Sequence, residues 1–449
     1  MIRGKHIYDQ LPVWVQTMAV NVTSARGFRL KYGPAFERFS VELAANERKS
    51  RDEMLQDQQQ ALRRLLRYAV EHVPYYRELG CSPDQPGDWP ILEKKTVVAQ
   101  PEKFLSDEFA PCHLMSLHTS GTTGTPLTVR FTPECHQIEQ AFRWRHRAWA
   151  DIAYPSSGAY VAGHPVVPPT QDRPPFWRRD RVEDRLLCSS YHLAPRHWLY
   201  YLAALCDYQP VFIHGYPSSI YLLARARLHY HLPGPSPRAV FTASETLLDF
   251  QRATIERAFG CKMYNWYGNT EMTCNIIECR AGRLHYRTDY GLLELIDNGT
   301  MVCTGLNNRA MPLIRYRVGD RVTLGPADAV CPCGCAFPLV ERIEGRLEDY
   351  VRTPDGRFVG RLDHLFKSVH HVREAQLVQS QFDELVVRLV RATGFSARDE
   401  QTILAEARQR LGETMRIRFE FVDAIARTES GKFQFVISQL PREQLDSIE

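Results

Sequence analysis

The chain has 449 residues, enough for a large core divided over two or three domains. Its 44% hydrophobic and 24% charged content is that of an ordinary globular protein, and a net charge of +4 is too small over this length to direct it to nucleic acid. No run reaches the ~18 apolar residues of a membrane span. Twelve cysteines, with no secretory leader pattern, argue for reduced thiols and metal ligands rather than a disulfide frame, and for a cytoplasmic protein.

In chain order, Leu11 to Val20 is apolar but short. It reads as an N-terminal arm packed on the body, with membrane-surface contact as the alternative. Residues 50 to 73 carry Leu55, Leu62, Leu65, Leu66, Ala69 and Val73 near helical spacing, and Pro74 ends the run. A second helix is expected over residues 133 to 150, and Val161 to Pro175 shows no clear period. Trp198 to Leu205 and Ile220 to His229 have helical pattern. Val240 to Ala243, Cys261 to Trp266, Gly291 to Ile296 and Met301 to Thr304 read as strands bounded by turns. Beyond Gly345-Arg346 the pattern changes to a compact α+β unit. Its strands are expected at Glu374 to Gln379, Glu384 to Leu389 and Arg416 to Val422, and its helix at Ala397 to Arg410. The fold class is therefore α/β, a large domain over residues 1–345 with a helical N-terminal arm and a small α+β domain over 346–449.

Chemistry concentrates in short segments that follow a fixed order. Thr119-Ser120-Gly121-Thr122-Thr123-Gly124-Thr125 packs hydroxyls and glycines into a loop able to wrap a polyphosphate, and it lacks the Gly-Lys-Ser/Thr ending of a Walker A loop. After it come Phe241-Thr242-Ala243-Ser244-Glu245-Thr246, Tyr264-Asn265-Trp266-Tyr267-Gly268-Asn269-Thr270-Glu271 and Pro312 to Asp320. Arg342-Ile343-Glu344-Gly345-Arg346-Leu347-Glu348-Asp349 and Arg427-Thr428-Glu429-Ser430-Gly431-Lys432 complete the series. In this order the set resembles the adenylate-forming superfamily of acyl-CoA synthetases, peptide-synthetase adenylation domains and luciferases. Tyr75-Tyr76-Arg77, Pro174-Pro175-Phe176-Trp177, Ser189 to Leu193 and Gly215-Tyr216-Pro217-Ser218 are similar to its phenylacetate–CoA ligase-like branch, and most to the CapK-type subgroup associated with capsular polysaccharide biosynthesis.

The resemblance implies ATP-dependent activation of a carboxylate through an acyl-adenylate, with release of pyrophosphate, followed by transfer to a thiol. Thr119, Ser120, Gly121, Thr122, Thr123 and Gly124 would hold the β- and γ-phosphates. Leu127 and Thr128 stand where the superfamily usually has a lysine, which makes the loop more reliant on hydroxyls. Glu271 would bind Mg²⁺, Thr270 would touch the α-phosphate, and Tyr267 after Asn265 and before Gly268 would stack on adenine. Ser244 and Glu245 would line the adenine side, Asp320 would accept from the ribose hydroxyls, and Arg346 would reach the ribose or α-phosphate. Lys432 would bridge substrate carboxylate and α-phosphate during adenylation. The C-terminal domain would be mobile about a hinge at Glu348, withdrawing Lys432 for the second step. Tyr191, His192, His214, Tyr216 and Trp266, with His164, fall in segments expected to approach the acyl pocket. Their polar tips suit a partly polar or aromatic acid better than a long fatty chain.

A second constellation is Cys279-x5-His285 with Cys331-Pro332-Cys333-Gly334-Cys335. Three thiolates and an imidazole suit tetrahedral Zn²⁺, so Cys279, His285, Cys331 and Cys333 are the expected ligands of a structural zinc, with Cys335 as the alternative.

The expected reactants are a small-molecule or glycan-linked carboxylic acid, ATP with Mg²⁺, and CoA, a carrier-protein thiol or an amine as acceptor. The rival readings are an amide or ester ligase acting on a cell-surface polysaccharide or its precursor, a non-catalytic nucleotide-binding scaffold, and a zinc-stabilised protein docked to membrane machinery through Leu11 to Val20. Glu271, Asp320, Arg346 and Lys432 together argue against the scaffold, which needs none of them.

Overall fold

The computed structural model describes residues 7–119, 127–245, 247, 249–296, 299–344, 351–360 save 360, 362–366, 368–369, 371–426 and 435–440. The helix Arg51–His72 starts where expected because Ser50 and Glu53 form a capping box, the Ser50 N–H donating to Glu53 Oε2 at 2.8 Å and the Glu53 N–H to Ser50 Oγ at 3.3 Å. It stops before Pro74, as the pre-proline restriction requires. Its inner face, with Leu62, Leu65, Leu66 and Ala69, packs into a core shared with Val129, Ile276, Met311, Ile314 and Tyr316.

A hairpin pairs β1 (Met115–His118) with β2 (Thr128–Phe131). The large sheet takes β3 (Gly158–Ala162), β4 (Trp177–Asp180), β5 (Arg185–Ser189), β6 (Phe212–Gly215), β7 (Ala239–Ala243) and β8 (Lys262–Gly268). It continues with β9 (Asn275–Glu278), β10 (Leu284–Tyr286), β11 (Gly291–Ile296), β12 (Thr300–Gly305), β13 (Tyr316–Leu324) and β14 (Leu339–Glu344). Its order is β11-β12-β13-β14-β10-β9-β8-β7-β6-β3-β5-β4. The contiguous run β5-β3-β6-β7-β8 is parallel, and the other pairings are antiparallel. Parallel neighbours need crossovers, and the helices Trp198–Tyr208, Pro217–His229 and Asp249–Phe259 supply them. Helices cover both faces of such strands, so β7 reads as a short apolar run, Ala239-Val240-Phe241, rather than as an alternation. The helix Pro217–His229 starts ahead of the expected Ile220 because Pro217 takes its first turn. In the stretch read as lacking a period, β3 ends at Ala162.

The C-terminal unit has a core of its own, built from residues between Val351 and Val436. A small hairpin, β15 (Val351–Arg352) with β16 (Phe358–Val359), precedes β17 (Val372–Gln381) and β18 (Glu384–Arg391). The helix Ala397–Leu411 and β19 (Arg416–Phe421) follow, close to their expected bounds. The sheet order β19-β18-β17-β20 includes a fourth strand, β20 (Val436–Ser438), that the sequence reading did not anticipate.

The N-terminal arm is the helix Val13–Lys31, lying on the edge strand β4. It packs on the body as expected, but through polar groups. Asn21 Nδ2 donates to the Arg179 carbonyl at 2.8 Å, Ser24 Oγ to Asp180 Oδ2 at 2.8 Å, and Arg178 Nε to Gln16 Oε1 at 3.0 Å. Among the described residues, no helix is long and apolar enough to cross a membrane.

Candidate active site and metal centre

The parallel strands all point their carboxyl ends the same way, where open α/β sheets place their ligands. Along that edge lie Gly163-His164 after β3, Ser190-Tyr191 after β5, Tyr216 after β6, Ser244-Glu245 after β7 and Asn269-Thr270-Glu271 after β8. The topology therefore gathers residues scattered over more than a hundred positions. Two non-glycine residues there adopt left-handed backbone, Ser244 with φ 74° and Met272 with φ 56°. Strain of this kind gathers at functional sites. Gly215 is required for close approach, since a Cβ on it would sit 2.1 Å from the Val161 carbonyl oxygen.

Two of the expected nucleotide-binding residues are linked directly, and others are held by neighbours. Tyr267 on β8 donates its hydroxyl to Asp320 Oδ2 on β13 at 2.6 Å. Burial, and then the Asp320 charge, push the Tyr267 phenol well above its usual range, so it stays a donor. Glu271 Oε1 accepts from the hydroxyl of the buried Tyr316 at 3.1 Å. The turn carrying Thr270 and Glu271 is shaped by Asn269, whose Oδ1 accepts from the N–H groups of Thr273 at 3.0 Å and Cys274 at 3.3 Å. Gly268 ends β8 beside Trp266, and a Cβ there would meet the indole nitrogen at 2.8 Å. Glu245 Oε2 accepts from the Ser218 N–H at 3.1 Å, at the start of the helix Pro217–His229. Thr119 is buried at the neck of the β1–β2 hairpin, exchanging bonds with Leu127: its N–H donates to the Leu127 carbonyl and its Oγ1 accepts from the Leu127 N–H, both at 2.9 Å. Ser120, Gly121, Thr122, Thr123, Gly124, Arg346, Glu348 and Lys432 lie outside the described residues.

The five expected acyl-pocket residues separate. Tyr191 and Tyr216 line a narrow cleft with Ser190, Ser218, Glu245 and, from the C-terminal unit, Arg357 and Arg410. His192 is instead a packed ring. Its Nδ1 bonds Ser189 Oγ at 2.8 Å, its Nε2 the Pro168 carbonyl at 3.2 Å, and its face stacks on Phe176. His214 contacts Tyr160, and Trp266 contacts His146. Burial pulls His164 and His192 down to about 4 and His214 well below its usual value, leaving them neutral.

Residues that the sequence reading missed complete the picture. Tyr316 lay inside a quoted motif but was given no role. Arg357 Nη1 donates to the Tyr191 carbonyl at 3.0 Å and Arg410 Nη1 to the Tyr191 hydroxyl at 3.4 Å. Nothing local marks either arginine, because their partner is 166 and 219 positions away.

Beyond Glu271, His285 on β10 and Cys279, Cys331 and Cys333 in neighbouring loops bring their ligand atoms within 4.8 Å of one another. Cys279 Sγ and Cys331 Sγ are 3.7 Å apart, and Cys333 Sγ and His285 Nε2 3.4 Å. Tetrahedral zinc with Zn–S about 2.3 Å and Zn–N about 2.0–2.1 Å sets S···S near ~3.8 Å and S···N near ~3.6 Å, so the set fits. His285 Nδ1 donates to the Phe337 carbonyl at 2.9 Å, which leaves Nε2 as the free lone pair toward the sulfurs. Cys335 is not in the group; its N–H donates to Cys333 Sγ at 3.4 Å. Burial raises the Cys279 and Cys333 thiols to about 12, so a cation is what would ionise them.

Known proteins resemble this chain in the same sense. Residues 351–439 match the family model described as the CapK C-terminal domain. Protein CapK of Staphylococcus aureus is 28% identical over 349 residues, which span 73% of this chain and 75% of the relative. Phenylacetate-coenzyme A ligase of Thermus thermophilus is 25% identical over 345 residues, spanning 65% and 70% of the two chains. A crystal structure of 2-hydroxyisobutyryl-CoA ligase in complex with 2-HIB-AMP and CoA shares the fold, with a TM-score of 0.56 and 21% identity over 88% of this chain and 91% of that one. The C-terminal unit thus matches the CapK C-terminal domain, and the chain as a whole is similar to Protein CapK and to phenylacetate-coenzyme A ligase and shares the fold of 2-hydroxyisobutyryl-CoA ligase.

Proposed function

We propose that the protein activates a carboxylic acid with ATP, forming an acyl-adenylate and pyrophosphate, and passes the acyl group to a thiol, with CoA as the acceptor. The observation that carries this reading is the pair of hydrogen bonds Tyr267–Asp320 and Tyr316–Glu271 at the carboxyl ends of the parallel strands. They support the reading because an aromatic ring and two carboxylates, the kinds of group that a nucleoside triphosphate and its cation need, are tied together near one edge.

In the first step a substrate carboxylate oxygen attacks the α-phosphorus, and the bond to the β-phosphate breaks. The protein has to hold two anions together and stabilise a crowded phosphorus centre. Asp320 accepts from the ribose hydroxyls while Tyr267 fixes its orientation. Glu271, oriented by Tyr316, would hold Mg²⁺, which supplies charge neutralisation between the phosphates. Ser120 to Gly124 would cradle the β- and γ-phosphates, and Lys432 would bridge carboxylate and α-phosphate. In the second step the thiol attacks the acyl carbon and AMP leaves. Residues 346–449 would turn about Glu348 between the steps, the cleft with Arg357 and Arg410 against Tyr191 being the contact they make and release. Cys279, His285, Cys331 and Cys333 would hold a structural zinc that pins the segment after Glu271 to the segment before the hinge.

The reading is tested by incubating the protein with ATP, Mg²⁺, CoA and a panel of aryl, hydroxy, amino and uronic acids. It requires AMP and one acyl-CoA by mass spectrometry. AMP and pyrophosphate without an acyl-CoA, but with an amide or ester once a glycan acceptor is added, would move the second step to the polysaccharide-ligase reading.

A further inference from the structure

The helix Val13–Lys31 is turned inside out relative to an ordinary surface helix. Gln16 and Ser24 are buried against the body, and Asn21 bonds the backbone of Arg179 and Arg181. The opposite face carries Trp14, Met18 and Val22, four residues apart and 69%, 55% and 45% exposed. An apolar stripe at helical spacing is normally the buried one, so this face has an unmet partner.

Charge identifies the partner. The helix contains no acidic residue, and Arg26 and Arg29 are exposed where the same face continues toward its C-terminal end. Of the neighbouring acids, Asp184 is paired with Arg179, and the other two are turned inward. Asp180 is fully buried and accepts from Ser24 and Arg185, and Glu183 pairs with Lys31, Tyr32 and Arg185. What remains is apolar and cationic, with a tryptophan among the apolar groups. Exposed apolar groups that include a tryptophan, next to unopposed arginines, suit the headgroup region of an anionic bilayer. A second copy of the chain fits poorly, because a stable protein interface takes roughly 20–30 residues a side and this stripe offers three large apolar side chains.

We propose that the helix Val13–Lys31 docks the protein on anionic membrane surfaces, Trp14, Met18 and Val22 entering the boundary between headgroups and acyl chains while Arg26 and Arg29 face lipid phosphates. The inference is independent of the activity proposed above, since no residue of the strand-end site takes part.

Flotation of the full-length protein with phosphatidylcholine vesicles, with and without phosphatidylglycerol, tests it. The protein should float with the anionic vesicles at low salt, stay behind with the neutral ones, and be released as salt is raised. Trp14→Ser/Met18→Ser should weaken binding about tenfold or more, and Arg26→Glu/Arg29→Glu should remove the preference for anionic lipid. Both pairs are exposed, so melting temperatures should match the parent protein. No flotation with anionic vesicles at low salt, or flotation unaltered in both variants, overturns the proposal. A lipid-free dimer that Trp14→Ser/Met18→Ser dissolves also overturns it, assigning the face to self-association.

Discussion

The Tyr267 hydroxyl donates to Asp320 Oδ2 at 2.6 Å, joining two motifs 53 residues apart. If Asp320 accepts from the ribose, Tyr267 is what aims it. Asp320→Ala should raise KM for ATP strongly. Tyr267→Phe, which keeps the ring and removes the bond, should cost about 1.5–3 kcal/mol in kcat/KM for ATP. In a double-mutant cycle the two should couple by about 0.5–3 kcal/mol. Strict additivity would separate the residues functionally.

Lys432→Ala should slow adenylate formation by ~10²–10³, the loss of a transition-state donor. Thioester formation from supplied acyl-adenylate should be spared. Single-turnover assays of each half-reaction make the distinction, and equal losses in both would contradict the assignment of Lys432 to the first step.

Protein purified without chelator should carry about one zinc per chain by metal analysis, as four convergent ligands imply. Cys279→Ser and Cys331→Ser should each lose the metal and lower the melting temperature. Cys335→Ser should keep it, because Cys335 stands outside the ligand group. Loss of zinc in Cys335→Ser with retention in Cys333→Ser would reverse that choice.

Burial holds His164 and His192 down to about 4 in the folded chain, against about 6.5 when unfolded. The unfolded state then binds more protons below the unfolded value, so stability is complete above pH ~6.5 and falls as the pH drops to about 4, the folded value. Thermal melts should show a plateau at neutral pH and a decline over that window. His192→Gln should make the decline shallower, and an identical slope would remove His192 as a contributor.

Much of the fold was legible because its signals are local. The helical spacing of Leu62, Leu65, Leu66 and Ala69 with the stop at Pro74, and the apolar run of β7, mark their elements within a few residues. The strand β20 escaped notice because it is three residues long and takes its meaning from pairing with β17. The arm was read as packing on the body, but its faces were not assigned, because the polar environment of β4 that receives Gln16 and Ser24 is tertiary information. At the site, the motifs named Tyr267, Glu271 and Asp320 directly, whereas the support of Glu271 by Tyr316 depends on β13 lying across from the turn after β8. His192 looked like a pocket residue by its place after β5, yet its two ring nitrogens are taken up by Ser189 and Pro168. For the metal group the sequence names Cys333 with Cys335 as the alternative, and Cys333 is the one whose sulfur joins the cluster.

The central claim is acid-dependent adenylation at the strand-end site. It is tested most directly by pyrophosphate release from ATP across a panel of carboxylic acids, with hydroxylamine present to trap adenylates. One acid class should give release and a hydroxamate, and Glu271→Ala should abolish both while leaving the protein folded. Release that is indifferent to the acid supplied, or that persists in Glu271→Ala, would contradict the account.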